Sequence, residues 1–293
     1  MNRVNFHRRT RARFAPVSLI LCSLFALPAT HARQAGSGNT ATPTAPTQNN
    51  KPATVSEQAK AEQIIERAIA AAGGSAFLGV QSIVSRGYFT PFKEGISLAP
   101  LKFTDYLVYP DRERTEFSGQ GIRNVQTNTG TTGWVYDNTT RAILDIKPEQ
   151  VKDFQTAMRT SVDNLLRGWW RKEGARLSYA GRREAGLARR NEVVRLSYAD
   201  GFAVEFEFGA KDNLLYKVRY RRPNPEGEET EEEDRFAQHL TFNGVTMPFI
   251  IDHYRAGTQT SRINYDTVEF NRALPDSLFA RPADIKALNK SFK

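Results

Sequence analysis

Alternation of apolar and polar residues from Gln81 to Phe270 restricts the fold of this chain more than any other feature. In Phe202–Phe208, for example, apolar residues take every second position and Glu205 and Glu207 lie between them. A period of two predicts strands that bury one face. About a dozen such segments follow one another, and short turns such as Asn243–Gly244 join them. Such a series of hairpins predicts an antiparallel meander, either open or closed.

Two helical patterns accompany the strands. The spacing of Thr54 and Glu57 is a capping box, and the helix that it starts ends at Gly73. A second amphipathic pattern of about twenty residues begins at Pro148 and runs to Leu166, with apolar residues at steps of three and four. We expect this helix to cover the apolar face of the sheet. Periodicity leaves open whether it fills the core or forms a lid over an apolar cavity.

Charged residues fall into two groups along the second half of the chain. Glu205 and Glu207 are predicted to face Lys217 and Arg219 across a hairpin, which makes a solvated outer face of ion pairs. The acidic run Glu226–Asp234 is predicted to be a long exposed hairpin loop.

The N-terminus has the pattern of a cleavable export signal. Residues 1–13 carry five Arg and no acid, an apolar run from Phe14 to Leu27 follows, and small residues come next. We place the cleavage after Ala32, with Ala29 as the alternative, because the run is too short to span a bilayer. Residues 1–32 are thus a predicted signal peptide, 33–53 a flexible low-complexity linker and 54–293 one domain, located in the periplasm. Loss of the five Arg lowers the formal net charge from +9 to +4.

The composition excludes several kinds of chemistry. The single Cys, Cys22, lies in the predicted signal peptide, so disulfides, Cys-containing zinc sites and thiol nucleophiles are excluded from the mature chain. Only His239 and His253 remain, and no nucleotide or hydrolase motif occurs. We therefore expect no enzyme, no metal, no cofactor and no nucleic-acid partner. The alternative of a hydrolase with paired carboxylates, such as Glu205 and Asp252, stays open.

An ordered set of motifs resembles the outer-membrane lipoprotein carrier superfamily, which includes LolA, LolB and RseB. The set spans roughly Ser56 to Pro282 and contains, in order, AAGG before the first strand, YPDRERTEF, TTGWVYDN, the mid-chain helix, ADGFAVEFEF, FNGVTMPFIIDHY and NYDTVEFNRALPDSLFARP. The resemblance implies a mainly β, α+β fold in which an unclosed antiparallel β-barrel wraps around amphipathic helices. It also implies a carrier that shields the acyl chains of a lipid or lipoprotein beneath a helical lid.

Site residues follow from this resemblance and from the alternation. Arg114 falls where the family's lid-gating arginine would lie, although Arg112 offers a competing register. The expected partners are a lipid or acylated lipoprotein, an envelope protein and, transiently, a membrane surface, and the expected state is a monomer. The alternative is an envelope sensor or docking protein that uses a sheet edge or the acidic run. The predicted cavity lining consists of Trp134, Phe154, Met158, Leu165, Phe202, Val204, Phe206, Tyr216, Val218, Met247 and Phe249.

Overall fold

The computed structural model describes residues 55–186, 188–224 and 227–290. The predicted signal peptide, the linker and Thr54 of the capping box lie outside these residues, as does Glu226, the first residue of the acidic run. In the described part of the chain, no helix is both long enough and apolar enough to cross a bilayer.

The fold class predicted from the sequence is confirmed, since fourteen strands of the described residues form one antiparallel sheet. All twelve predicted strands are present, and two short ones, β2 and β7, are added. The strands are β1 Ser82–Lys93, β2 Ile96–Ser97, β3 Leu101–Val108, β4 Arg112–Gly119, β5 Ile122–Thr129, β6 Gly133–Asp137, β7 Ala142–Asp145, β8 Arg176–Glu184, β9 Arg190–Ser197, β10 Ala203–Gly209, β11 Leu215–Pro223, β12 Glu229–Phe242, β13 Val245–Arg255 and β14 Thr258–Phe270.

The strand order leaves the barrel unclosed. It runs β7-β6-β5-β4-β3-β1-β14-β13-β12-β11-β10-β9-β8, with β2 paired to β1, so β7 and β8 are the two free edges. The register between β1 and β14 shifts at Gly87, where a Cβ would lie 2.0 Å from the carbonyl oxygen of Asn264. Glycine permits this close approach, and a bulge increases the local twist of a strand.

Five α-helices complete the described fold: α1 Val55–Ala72, α2 Ser75–Leu78, α3 Pro148–Thr160, α4 Val162–Leu166 and α5 Ile285–Lys290. Two short 3-10 helices accompany them, at Trp169–Glu173 and Asp276–Leu278. The single long helix predicted from Pro148 is thus two helices. Ser161 interrupts it with extended backbone, and its Oγ accepts a hydrogen bond from the Asn164 N–H at 3.1 Å. A serine in this role is a common N-cap, so the second helix starts in a new direction.

The largest core cluster lies where α1 and α4 cover one half of the sheet, and we call this covered side the inner face. Ile64 and Ala68 of α1 pack with Leu166 of α4 against strands β8 to β11, including Phe206. The apolar faces of β10 and β11 are therefore met mainly by α1 and α4. Helix α3, which was expected to cover them, packs mainly on α4.

Most of the acidic run is not the predicted exposed loop, although Gly227, Glu228 and Glu229 near its start are exposed. Strand β12 begins at Glu229, and Glu232, Glu233 and Asp234 are all buried. Neighbouring strands supply their partners: Arg222 and Arg255 each donate to Glu232, at 2.8 and 2.7 Å. Charge composition alone predicted solvent exposure, but cross-strand cations hold these carboxylates inside the sheet.

Candidate ligand cavity

A cavity of about 240 Å³ lies on the inner face, between the sheet and the ends of α1, α3 and α4. Its helical wall includes Ala72, Met158, Val162 and Leu166, and Trp169 follows them in the turn after α4. Its sheet wall includes residues from β1, β3, β4 and β10 to β14, among them Leu107, Phe236, Met247 and Ile251. Apolar side chains thus form most of the wall, as is typical of sites that bind apolar ligands.

Two of the eleven residues predicted from the sequence line this cavity. Met158 extends from α3 and Met247 from β13, and both are partly buried. Methionine is flexible and adapts its shape to irregular apolar partners. These two residues therefore line the same cavity, one from the helical side and one from the sheet side.

Five predicted residues belong instead to the packed core beside the cavity. Leu165, Val204, Phe206 and Val218 are at most 1% exposed and lie in the cluster that α1 and α4 cover. Phe202 is partly buried and packs against the same cluster. The sequence pattern correctly predicts that they are buried, but they pack in the cluster with α1 and α4 and do not line the cavity.

Three more predicted residues are buried or partly buried outside the cavity wall. Phe154 is buried on α3, one turn before Met158. The ring of Phe249 stacks on Phe242, with ring centroids 5.1 Å apart. The register shift between β10 and β11 puts Leu215 opposite Phe208, and Tyr216 lies against His239 with ring centroids 5.2 Å apart.

Trp134 and Arg114 lie on the opposite, outer face of the sheet. Glu113 lines the cavity, so its neighbour Arg114 points away from it, and Trp134 shares the side of Arg114 through Thr127. Arg114 is 1% exposed and donates to Glu116 Oε1 at 2.8 Å and to the carbonyl oxygen of Leu278 at 2.9 Å. Its contacts hold the C-terminal segment on the outer face, and none of these bonds reaches a lid helix.

Polar groups at the mouth of the cavity are mostly paired with each other. Arg167, just after α4, donates to Asp163 at 2.8 Å and to the carbonyl oxygens of Phe77 and Leu78. Its guanidinium also lies 4.4 Å from the ring centroid of Tyr109. Burial raises the pKa of the Tyr109 hydroxyl well above its ordinary value, and the charge of Asp163 adds to this.

A buried Asp–His pair stands on neighbouring strands at the cavity floor. Asp234 of β12 lines the cavity, and its Oδ1 lies 2.5 Å from Nδ1 of His253 on β13. Burial raises the pKa of Asp234, although the contact with His253 opposes this shift. In the sequence, His253 adjoins Asp252 and lies nineteen residues from Asp234. The partner across the strand was missed because the acidic run was assigned to a loop.

Two further carboxyl groups, Asp105 and Glu113, line the cavity without an ion pair within the described residues. Burial raises the pKa of Asp105 to about 7, while hydrogen bonds from the Thr115 hydroxyl and the Tyr106 backbone oppose the shift. Burial and the charge of Asp105 together raise the pKa of Glu113 well above its ordinary value. No sequence motif pointed to this pair, because each residue interrupts an otherwise ordinary strand. No group of three or more residues able to hold a metal ion occurs in the part of the chain that the structure describes.

The fold is similar to those of three solved structures. A DUF1329 family protein from Desulfovibrio piger has a TM-score of 0.56 and 11% identity, covering 76% of this chain and 97% of its own. A LolA superfamily protein from Nitrosomonas europaea has a TM-score of 0.53 and 13% identity, with 75% and 97% covered. A domain from Vibrio parahaemolyticus that is named for outer-membrane lipoprotein sorting has a TM-score of 0.52 and 11% identity, again with 75% and 97% covered.

These similarities confirm, at the level of the fold, the resemblance inferred from the sequence. No protein-family model matches the chain, and no curated protein is similar to it in sequence. The chain therefore has a LolA-like unclosed barrel whose sequence is far from those of its structural neighbours.

Proposed function

We propose that this protein is a periplasmic, non-enzymatic carrier that binds the acyl chain of a lipid or lipoprotein in its inner cavity. The observation that carries the proposal is the apolar cavity between the sheet and the helices, with Met158 and Met247 on its two sides. The fold it shares with lipoprotein-sorting and LolA superfamily proteins supports the same reading.

Burial of methylene groups supplies the affinity in this proposal. Each CH₂ moved from water to an apolar site contributes about 0.8 kcal/mol. A short stretch of acyl chain therefore binds usefully without any polar contact. Release requires that the wall opens, and the helical side of the cavity offers the natural movable part.

Helix α3 is the part of the wall that we expect to open. Ion pairs connect it to the rest of the domain. Arg159 near its end donates to Asp200 Oδ2 at 2.6 Å, and Asp153 in its first half accepts from Arg222 at 3.1 Å. An open groove lined mainly by charged residues runs along this helix. Partly exposed ion pairs are weak and exchange with water, so the cost of detaching α3 comes mainly from exposing its buried Phe154 and Ala157.

Contact with a membrane surface would take place at the β12–β13 hairpin. Leu240 is 44% and Phe242 is 41% exposed, and Leu240 lies directly opposite Met247 of the cavity wall. Exposed apolar side chains beside a binding cavity provide a short path from a lipid layer to that cavity.

Native mass spectrometry of the protein purified without detergent tests the function. We expect an adduct with the mass of an acyl-chain compound that leaves on denaturation, and we expect Met158→Trp to remove it by filling the cavity. Leu144→Trp on edge strand β7, where the side chain is 54% exposed, is the matched control and keeps the adduct. A clean mass of the protein alone, unchanged after incubation with envelope lipids and a triacylated lipopeptide, would contradict the proposal.

A further inference from the structure

Two carboxyl groups, Asp105 and Glu113, line one end of the cavity, and Asn128 stands behind Glu113 on the next strand. Asp105 of β3 lies opposite Thr115 of β4, and Glu113 is two residues earlier on the same side of β4. Asn128 of β5 lies directly opposite Glu113, and its Nδ2 is 3.5 Å from Glu113 Oε2. Diagonal neighbours in a sheet are close enough for their side chains to meet.

The side chains of this cluster offer more hydrogen-bond acceptors than donors. The Thr115 hydroxyl donates to Asp105 Oδ1 at 2.8 Å, and the Asn128 amide makes only the long contact to Glu113. Asn128 is 1% exposed, and its Oδ1 has no hydrogen-bond partner among the described residues. A buried carbonyl oxygen without a donor is costly, so its place beside two carboxyls points to a missing donor.

The neighbouring basic side chains already contact other groups. Arg167 is paired with Asp163, and His253 with Asp234. His239 contacts the carbonyl oxygen of Leu215, and burial lowers its pKa. The Tyr265 hydroxyl on β14 has a raised pKa through burial and the charges of Asp105 and Glu113.

Burial without a neighbouring cation raises the pKa of both carboxyls. The pKa of Asp105 rises to about 7, and that of Glu113 rises well above its ordinary value. A positive charge placed between them would reverse both shifts and satisfy the free oxygen of Asn128. The group that fits is a pure donor with a positive charge, which is the chemistry of an ammonium group.

We propose that the cavity selects amphiphiles with an ammonium group, which binds between Asp105, Glu113 and Asn128 while the alkyl chain lies against Met158 and Met247. This inference rests on the proposed function, because it names the polar end of the ligand that the cavity holds. The ligand class is thus an amine-bearing lipid or lipid-like amphiphile, and a fatty acid is disfavoured.

Calorimetric titration with three probes of equal chain length tests the selectivity: dodecylamine, dodecanol and dodecanoate. The purified protein is expected to bind dodecylamine about ten-fold or more tightly than dodecanol, and dodecanoate most weakly, since a charge-assisted hydrogen bond contributes at least this much. Dodecylamine binding is expected to weaken as the pH falls below about 7, because Asp105 must release its proton to receive the cation.

Two isosteric variants test whether the preference for dodecylamine comes from Asp105 and Glu113. Asp105→Asn and Glu113→Gln are expected to lose the preference for dodecylamine over dodecanol. Glu184→Gln is the control that keeps this preference, because this glutamate of β8 forms an exposed pair with Arg190 of β9. Urea denaturation checks that each variant is folded.

The outcomes separate this inference from the proposed function. Equal affinity for dodecylamine and dodecanol overturns the ammonium site and leaves the acyl-chain cavity intact. A preference that persists in both isosteric variants also overturns it, because the cation would then bind elsewhere. Failure to bind any of the three probes contradicts the cavity function itself.

Discussion

Trp134 donates its indole N–H to the carbonyl oxygen of Phe279 at 3.0 Å, across 145 residues of sequence. The bond ties strand β6 to the segment that follows the last strand of the sheet. Leu288 of α5 packs in the same small cluster as Trp134, together with Val125 and Tyr136. The C-terminal segment therefore covers the outer face of the half-sheet that lies away from α1, and it contributes to stability there.

Substitution of Arg114 tests whether this residue stabilises the fold or gates the cavity. We expect Arg114→Met to lower the free energy of unfolding by about 2 kcal/mol or more, because Glu116 loses its buried partner. Trp134→Phe should cost about 1 kcal/mol for one hydrogen bond. Both values are measurable by urea denaturation. Ligand affinity should not change in either variant, whereas a large change in ligand exchange for Arg114→Met would support the lid role that the family resemblance implies.

Substitutions at Phe206 and Met247 distinguish the packed core from the cavity wall. Phe206 is 0% exposed and packed, so Phe206→Ala should destabilise the protein by about 3–5 kcal/mol. Met247 is partly buried and already borders empty space, so Met247→Ala should cost much less stability but weaken acyl-chain binding. Urea denaturation and probe titration on both variants check this. The reverse order of stability losses would show that the cavity is not where the structure places it.

The ion pairs of Arg159 should set how fast ligand exchanges. Arg159 bridges Glu173 at 2.7 Å and Asp200 at 2.6 Å, and all three side chains are partly exposed. Arg159→Met is expected to change stability by less than about 1 kcal/mol but to accelerate ligand release in stopped-flow experiments. Added salt should accelerate release from the unmodified protein and have little further effect on the variant. Arg190→Met, which removes a pair on the distant β8–β9 hairpin, serves as control.

Asp105 should make the ligand-free protein less stable at higher pH. Its pKa rises from an ordinary 3.8 to about 7 in the folded state because of burial. Between these values the folded state holds a proton that the unfolded state has released, so the free energy of unfolding falls as the pH rises. The contribution is fully present below the unfolded pKa and is lost as the pH passes through about 7.

Comparison with Asp105→Asn isolates this contribution, because other carboxylates such as Glu192 and Asp200 have lowered pKa values and the opposite pH dependence. Thermal melting is measured from about pH 4 to about pH 8, a window that brackets the cited pKa values. As the pH rises, the melting temperature of Asp105→Asn should increase relative to that of the unmodified protein. Parallel curves would contradict the assigned shift.

Local patterns predicted the sheet well because each strand or hairpin is determined by residues that are neighbours in the sequence. Alternation in Phe202–Phe208 and the Asn243–Gly244 turn each determine one strand or one hairpin. The interruption at Ser161 was missed because Ser161 lies inside an otherwise regular apolar stripe. The burial of Glu232 was missed because its partners, Arg222 and Arg255, lie on two other strands.

The cavity was harder to predict than the core. An apolar residue such as Val204 shows the same alternation whether a helix or an empty space lies above it, and here α1 lies above it. Asp105 and Glu113 gave no signal at all, since their proximity depends on the pairing of β3 with β4. Only the three-dimensional register brings a polar end and an apolar wall into one cavity.

Photo-crosslinking with a diazirine-bearing acyl chain tests the central claim most directly. After illumination and digestion, the account predicts that the label is attached to peptides that contain Met158 and Met247, and that excess unlabelled acyl compound removes it. Labelling confined to the outer face around Trp134, or spread over the surface without competition, would contradict an acyl-binding cavity between the helices and the sheet.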